Sequence, residues 1–508
     1  MMLRAFIVGA GSGYITKILQ AACTAVLLPY LLLERNLGLT GFGEFSAIQA
    51  LVAILILAFD GWRQSVGTTI GRQVAAGSMR KRDLGASIGW SFLGATGLAL
   101  VAVLAVERIL AVAGLNPSGE YKLVFMLLVG QMAVEQGLYP AVALLHAAKS
   151  TWRINVAVAV EVVLRTLAVF VWFSASSASI SVYAAVILVS AVLRASWLAM
   201  TAFRQLEGGA PAAVDDVARG RDTFSYSLSL LGASAAEYMI FRMPVILMSR
   251  FVGAEAAAVV SVLLNSIPNY LRQITWSVLR PMVIPLGATI DFSVLSPKSG
   301  ERFEALLRTY QFLGFFVCAC LGATAWFWLN IWLGSEWDRY ASLLNILVLA
   351  IGLQLATAFQ YQLLVAQNRG GYLAFWGILL ALGASAAMVA WVKVSDEPRG
   401  LLAVVVAYCV LFYGIAVNEL FIRLRGGANR QSARRTAVAL IGAVVGVAVI
   451  EYGAAAVLGP LRSAGMMAGI AVSSIEIALV AIAGFVLIAP GEILRHAWSL
   501  ILAEIRRH

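Results

Sequence analysis

Charge is what this sequence has least of. Only 12% of its 508 residues are Asp, Glu, Lys or Arg, against about 25% in a soluble globular chain. That shortage excludes a solvated protein surface along most of the length. Histidine is scarcer still. His146 sits at the end of an apolar run and His496 and His508 lie near the C-terminus, which leaves no Ser-His-Asp or Cys-His set to propose. The four cysteines, Cys23, Cys318, Cys320 and Cys409, all fall inside apolar runs. Their spacing fits neither a disulfide framework nor a zinc site. "AAKS" at 147–150 and "PKSG" at 297–300 lack the glycine-rich loop that cradles nucleotide phosphates. "GAGSG" at 9–13 follows no strand and reads as a small-residue face for close helix packing. No loop is long enough to house a soluble domain. The expectation is a chain that is not an enzyme and has no metal site and no cofactor.

What is present is apolar sequence. Hydrophobic residues make up 61% of the chain and the mean hydropathy is +0.88. Runs of about twenty apolar residues recur throughout, the length needed to cross a ~30 Å hydrocarbon core as helix. Backbone groups in lipid must satisfy one another, and the runs do not alternate as barrel strands would. The sequence therefore predicts an all-α polytopic membrane protein with about fourteen transmembrane helices. The spans are 8–33, 43–66, 84–106, 122–145, 154–174, 182–203, 224–250, 255–279, 308–333, 341–365, 372–392, 401–422, 436–457 and 466–489. The net charge of +11 does not indicate a nucleic-acid partner, because the basic residues lie mostly in short alternate loops. The even-numbered loops and both tails hold most of them, which places both ends in the cytoplasm by the positive-inside rule.

One short pattern occurs twice. Pro29, Arg35, Gly38 and Ser46 end the first span and begin the second; Pro244, Arg250, Gly253 and Ser261 repeat the spacing at the seventh and eighth. The polar stretch "RQLEGGAPAAVDDVARGRDT" at 204–223 separates the two sets. Six spans is an even number, so the second copy enters the membrane in the orientation of the first, as parallel transporter repeats do. The expected domains are a six-helix bundle at 1–208, a cytoplasmic connector at 209–223 and a second six-helix bundle at 224–425. Two further helices at 434–490 and a cytoplasmic tail at 491–508 follow. Arg35 and Arg250 read as interfacial anchors at the turn.

Charges at membrane depth are costly and point to function or to pairing. They are Lys17, Asp60, Arg63, Glu135, Glu161, Arg165 and Arg194, then Glu237, Arg242, Arg272, Glu419, Glu451 and Glu476. Glu161 and Arg165 are four apart and Asp60 and Arg63 three apart, so each pair shares a helix face. Arg194 and Arg272 have no acidic neighbour in their own spans. Guanidinium groups stay charged and bind phosphate through paired donors. Arg165, Arg194, Arg242 and Arg272 are the candidate substrate contacts, with Lys17 and Arg63 weaker ones that snorkelling would also explain. Glu135, Glu237, Glu161 and Asp60 are candidate ion-coupling residues.

The segment "LERNLGLTGFGEFSAIQALVAILILAFDGWRQSVGTTIGRQVA" (33–75) resembles the N-terminal signature of Wzx-type polysaccharide flippases. These belong to the multidrug/oligosaccharidyl-lipid/polysaccharide (MOP) superfamily, with the multidrug and toxin extruders. The shared pattern is a first helix ending in Leu-Gly, a Gly-aromatic step, a second helix, and an Asp-Gly followed by a basic residue, here Asp60, Gly61 and Arg72. The resemblance implies a V-shaped pair of bundles around a cationic cavity in a bacterial inner membrane. Its implied substrate is an undecaprenyl-diphosphate-linked oligosaccharide for O-antigen, capsule or exopolysaccharide synthesis, moved by alternating access. Membrane lipids, a polysaccharide polymerase and chain-length proteins are the implied partners. The competing readings are a cation-coupled multidrug extruder of the same superfamily, a membrane glycan polymerase and a non-transporting scaffold.

Overall fold

The computed structural model describes residues 2–148, 150–206, 220–265, 318–366, 370–420 and 469–479. Every regular element in these residues is helical. In chain order they are α1 (Met2–Leu32), α2 (Gly38–Ala75), α3 (Lys81–Leu104), α4 (Val106–Val112), α5 (Gly119–Gly137), α6 (Tyr139–Ala147), α7 (Thr151–Ala175) and α8 (Ile180–Gln205). Then come α9 (Gly220–Phe251), α10 (Ala254–Asn265), α11 (Ala325–Leu333), α12 (Ala341–Ala366), α13 (Gly370–Val392) and α14 (Pro398–Cys409). A short helix, α15 (Gly469–Leu479), lies near the C-terminus. Among the described residues nine helical stretches are long and apolar enough to cross a membrane, and this is a multi-pass membrane protein. The expected spans 255–279, 308–333, 401–422, 436–457 and 466–489 lie wholly or partly outside the described residues.

The helix ends differ from the apolar runs for local reasons. α2 continues nine residues past its apolar run, through the polar stretch 67–75, because helical hydrogen bonds do not stop where apolarity does. It ends at Gly77, whose φ is +65°. The fourth span is two helices, α5 and α6, with Pro140 in the first turn of α6. There the missing N–H of proline costs nothing, whereas inside a continuous helix it would break a bond. The third span also breaks, at Ala105, before the short α4.

Packing inside the helices is inverted relative to a soluble bundle. On α3 the buried residues are Leu84, Ser91, Ala95 and Ala102, while Trp90, Leu93, Leu100 and Leu104 face outward and are exposed. α8 similarly buries Ala184, Ser190, Ala191, Ala195 and Ala202. Lipid tails are as apolar as leucine, so helices in a bilayer gain by turning small residues toward each other and large apolar ones toward lipid.

The described contacts fall into two compact units, one of residues 1–270 with 370–401 and the other of 271–369 with 402–508. In the first, α1 packs on α7, α3 and α8 on α5, and α9 lies along both α2 and α13. The second has α12 at its centre, almost entirely buried from Leu344 to Leu364. Beside it α14 widens into a π-helical stretch, Val410–Val417. That widening brings the Tyr413 hydroxyl to Gln354, whose Nε2 donates to it at 2.9 Å. Also in this unit, Trp326 Nε1 donates to the buried Glu476 at 2.8 Å, which gives one intramembrane acid a structural partner.

The two copies of the repeated turn share one type of backbone hydrogen bond. The Gly38 N–H donates to the Leu33 carbonyl at 3.1 Å, and the Gly253 N–H to the Met248 carbonyl at 2.8 Å. These are the same bond, from each glycine to the fifth residue before it, of the kind that closes a helix C-terminus. Both glycines have positive φ, +66° and +136°, where a side chain is strained. Two residues beyond each glycine, the copies touch: Thr40 Oγ1 donates to Glu255 Oε1 at 3.3 Å, a separation of 215 positions. That is the offset of the repeat itself. Elements related by a two-fold axis meet their own counterparts only close to that axis.

Candidate functional site

Among the described residues the strongest concentration of intramembrane charge lies in the first unit, on α1, α5, α7 and α8. Arg194 of α8 is its hub. Its NH1 donates to Glu161 Oε2 of α7 at 2.6 Å and its NH2 to Glu135 Oε1 of α5 at 2.5 Å. A planar guanidinium can serve two carboxylates at once because its donors diverge in a fixed fork. Gln131 Nε2, one turn before Glu135, donates to the same Glu135 oxygen at 3.2 Å. Arg165 stands one turn beyond Glu161 on α7, its NH1 3.5 Å from Glu161 Oε1. The Nε of Arg165 is buried and has no hydrogen-bond acceptor among the described residues.

Burial grades the two acids. The Glu161 side chain is 5% exposed and that of Glu135 28%. Glu161 is therefore fixed between two arginines, while Glu135 is the carboxylate that can exchange with water or a ligand. Lys17 of α1 donates to Gln20 Oε1 at 2.8 Å and lies close enough to Arg194 for the two cations to repel. α1 is positioned there by polar ties to α7: Thr16 Oγ1 donates to the Asn155 carbonyl at 3.1 Å, and Asn155 Nδ2 to Ser12 Oγ at 2.9 Å. Among the described side chains the cluster brings Lys17, Arg165 and Arg194 together with Glu135 and Glu161.

Of the other candidates, Arg63 and Arg242 have described contacts of their own. Arg63 of α2 stacks on the Tyr139 ring, 4.6 Å from its centroid, at the break between α5 and α6. Arg242 of α9 donates through NH1 to Asn265 Oδ1 at 2.8 Å, tying α9 to the end of α10. Asn265 in turn donates to Ser261 Oγ at 3.4 Å, the serine of the second repeat copy. Glu237 is half-buried on α9, five residues before Arg242. Asp60 lies within α2, and Arg272 lies outside the described residues. The partners of Arg194 have no sequence signature, since they stand on two other helices. A charge-bearing residue without a same-helix partner was the only signal.

At the end of the helices where α1 turns into α2 and α9 into α10, the first-half and second-half elements close on each other. A Cβ on Gly43 of α2 would collide with the backbone of Ala254. One on Gly114, whose φ is +74°, would come within 2.8 Å of the Arg250 Cα. Ser249 Oγ donates to the Ala113 carbonyl at 2.9 Å, and Arg250 NH1 donates to the Ala111 carbonyl. Tyr121 of α5 donates to Glu44 of α2. Lys122 is taken by Glu107 at 2.6 Å, a contact that holds the exposed Glu107 carboxyl below its usual range.

No protein-family model matches the sequence, and no curated protein sequence does. Solved structures do match in fold. The lipid II flippase MurJ, in an inward closed conformation, aligns with a TM-score of 0.59 at 11% identity, over 94% of this chain and 99% of that one. The eukaryotic MATE transporter AtDTX14 aligns at 0.51 with 16% identity, over 86% and 96%. A MOP superfamily transporter from Pyrococcus furiosus, described as having a binding pocket of reverse polarity, aligns at 0.52 with 12% identity, over 83% and 95%. The chain thus has the fold of MOP superfamily transporters.

Proposed function

We propose that this protein is a secondary transporter that moves an undecaprenyl-diphosphate-linked oligosaccharide across the bacterial cytoplasmic membrane by alternating access. The observation that carries the reading is the half-buried cluster of Arg165, Arg194 and Lys17 with two carboxylates, on a fold similar to that of a lipid flippase. A diphosphate head group needs guanidinium donors in a water-poor path, while a polyprenyl tail remains in lipid. Arg165, with an unused buried N–H, and Lys17 supply the first contacts. The diphosphate then displaces the more exposed Glu135 from Arg194, so that anion and carboxylate compete for one guanidinium. Glu135 released in this way can take a proton, which links substrate movement to a proton gradient. Arg242 on the second repeat is a further candidate contact for the anion.

The two carboxylates of the cluster favour one other reading, a cation-coupled multidrug extruder; one relative in fold is a multidrug resistance MATE family transporter. Arg242→Ala separates the two. For an anionic lipid-linked substrate, glycan export should fall at least about tenfold, the scale of one charge-assisted contact, with protein level unchanged. Export at the wild-type rate in this variant, and also in Arg165→Ala, would remove the cationic path from the account.

A further inference from the structure

The end of the molecule at which α1 turns into α2 carries a second feature that the transport path does not use. A cavity of about 540 Å³ opens there between α2, α4, α9 and α13, within the range of small-molecule and lipid-chain sites. Ile54, Val112, Ile246 and Phe251 form its apolar wall, and Arg108 and Arg250 are its charged residues. Among the described residues no acidic residue lines it. The nearby carboxylates are turned to other partners, Glu107 to Lys122 and Glu255 to Thr40.

The two guanidiniums are brought together by the fold. Arg250 donates to the carbonyl of Ala111, and Ala111 is three residues beyond Arg108 on α4, so Arg108 projects from the same helix face. Arg250 uses one of its five N–H donors in this way. Two like charges beside an apolar groove, with no counter-charge in its lining, make a site for an amphiphilic anion. Val112, Phe251 and Ile54 are exposed large apolar residues in the protein, and they sit where a hydrocarbon chain would cover them.

We infer that this groove binds an anionic phospholipid, its phosphate on Arg108 and Arg250 and one acyl chain against Ile54, Val112 and Phe251. The leaflet is the one on the side of the α1–α2 turn, the outer leaflet by the distribution of basic loops. The groove is walled by α2 and α4 from the first half of the chain and by α9 and α13 from the second. A lipid bound across them favours the arrangement in which that end is closed, because a ligand stabilises the state that holds its site. The site is independent of what the transporter carries.

The test is native mass spectrometry of the full chain purified in detergent, with phosphatidylglycerol and phosphatidylethanolamine as probes. Wild type should retain phosphatidylglycerol through delipidation in preference to phosphatidylethanolamine. Arg108→Gln removes an exposed side chain that makes no ion pair with the described residues, and should lower the retained fraction about tenfold. Val112→Trp fills the groove without changing charge and should do the same. Inorganic phosphate should not displace the lipid, since it lacks the chain. Equal retention of the two lipids, wild-type retention in both variants, or displacement by phosphate alone would each overturn the assignment. So would retention of undecaprenyl phosphate in place of phosphatidylglycerol.

Discussion

Arg194→Ala is expected to destabilise the folded protein by about 3–5 kcal/mol, the cost of stranding a buried charge by removing its partner. The loss is large because one guanidinium serves two acids from two other helices, Glu135 at 2.5 Å and Glu161 at 2.6 Å. Glu161 is almost fully enclosed and among the described residues retains only Arg165 at 3.5 Å. Thermal unfolding in detergent should show the loss directly. Adding Glu135→Gln and Glu161→Gln to the same chain removes the stranded charges and should recover most of the stability. On the proposed function transport should not recover, since the guanidinium proposed to receive the substrate anion is absent. Arg194→Lys keeps the charge but offers no fork, and should restore stability in part. Wild-type stability in Arg194→Ala would mean that the cluster does not join α5, α7 and α8.

Gly43→Leu should have the second large effect, and on conformation rather than on folding. The new side chain would meet the backbone of Ala254, which cannot swing aside as a flexible side chain does. Overpacking of this kind costs about 1–3 kcal/mol, enough to change the ratio of closed to open forms at that end by roughly one to two orders of magnitude. Because only the closed form is penalised, the variant should fold and insert normally while its transport rate falls to background. A cysteine pair introduced by Thr40→Cys and Glu255→Cys, whose native side chains are in hydrogen-bond contact, reports the closed form. Its disulfide should form readily in an otherwise wild-type chain and fail to form with Gly43→Leu. Ready cross-linking in both would show that α2 and α10 can close around the leucine.

The features legible in the sequence are those that a single helix determines. Apolar run length placed α1, α3, α7, α8, α12 and α13, because each must cross the same thickness of hydrocarbon. The repeated Pro-Arg-Gly-Ser spacing marked two turns that share a backbone bond and a positive φ at Gly38 and Gly253. A glycine requirement of that kind is written in one residue, so it can be read without a partner. α2 was read too short because its last turns carry polar residues, and a hydropathy window cannot distinguish a helix leaving the bilayer from a helix ending. Among the charges, the Glu161–Arg165 pair follows from helical spacing alone. The link from Arg194 to Glu135 spans 59 positions and depends on how α5 and α8 pack against each other. Nothing in either helix alone encodes that register.

The central claim is that the cationic cluster carries a lipid-linked anion across the bilayer. It is tested most directly by following a fluorescent undecaprenyl-diphosphate-linked oligosaccharide in proteoliposomes holding the purified protein, with one leaflet open to a membrane-impermeant quencher. The expected result is protein-dependent movement of the lipid between leaflets, faster with a proton gradient and reduced at least about tenfold by Arg165→Ala or Arg242→Ala. Movement no faster than in protein-free vesicles, together with proton-driven uptake of an organic cation by the same vesicles, would contradict it.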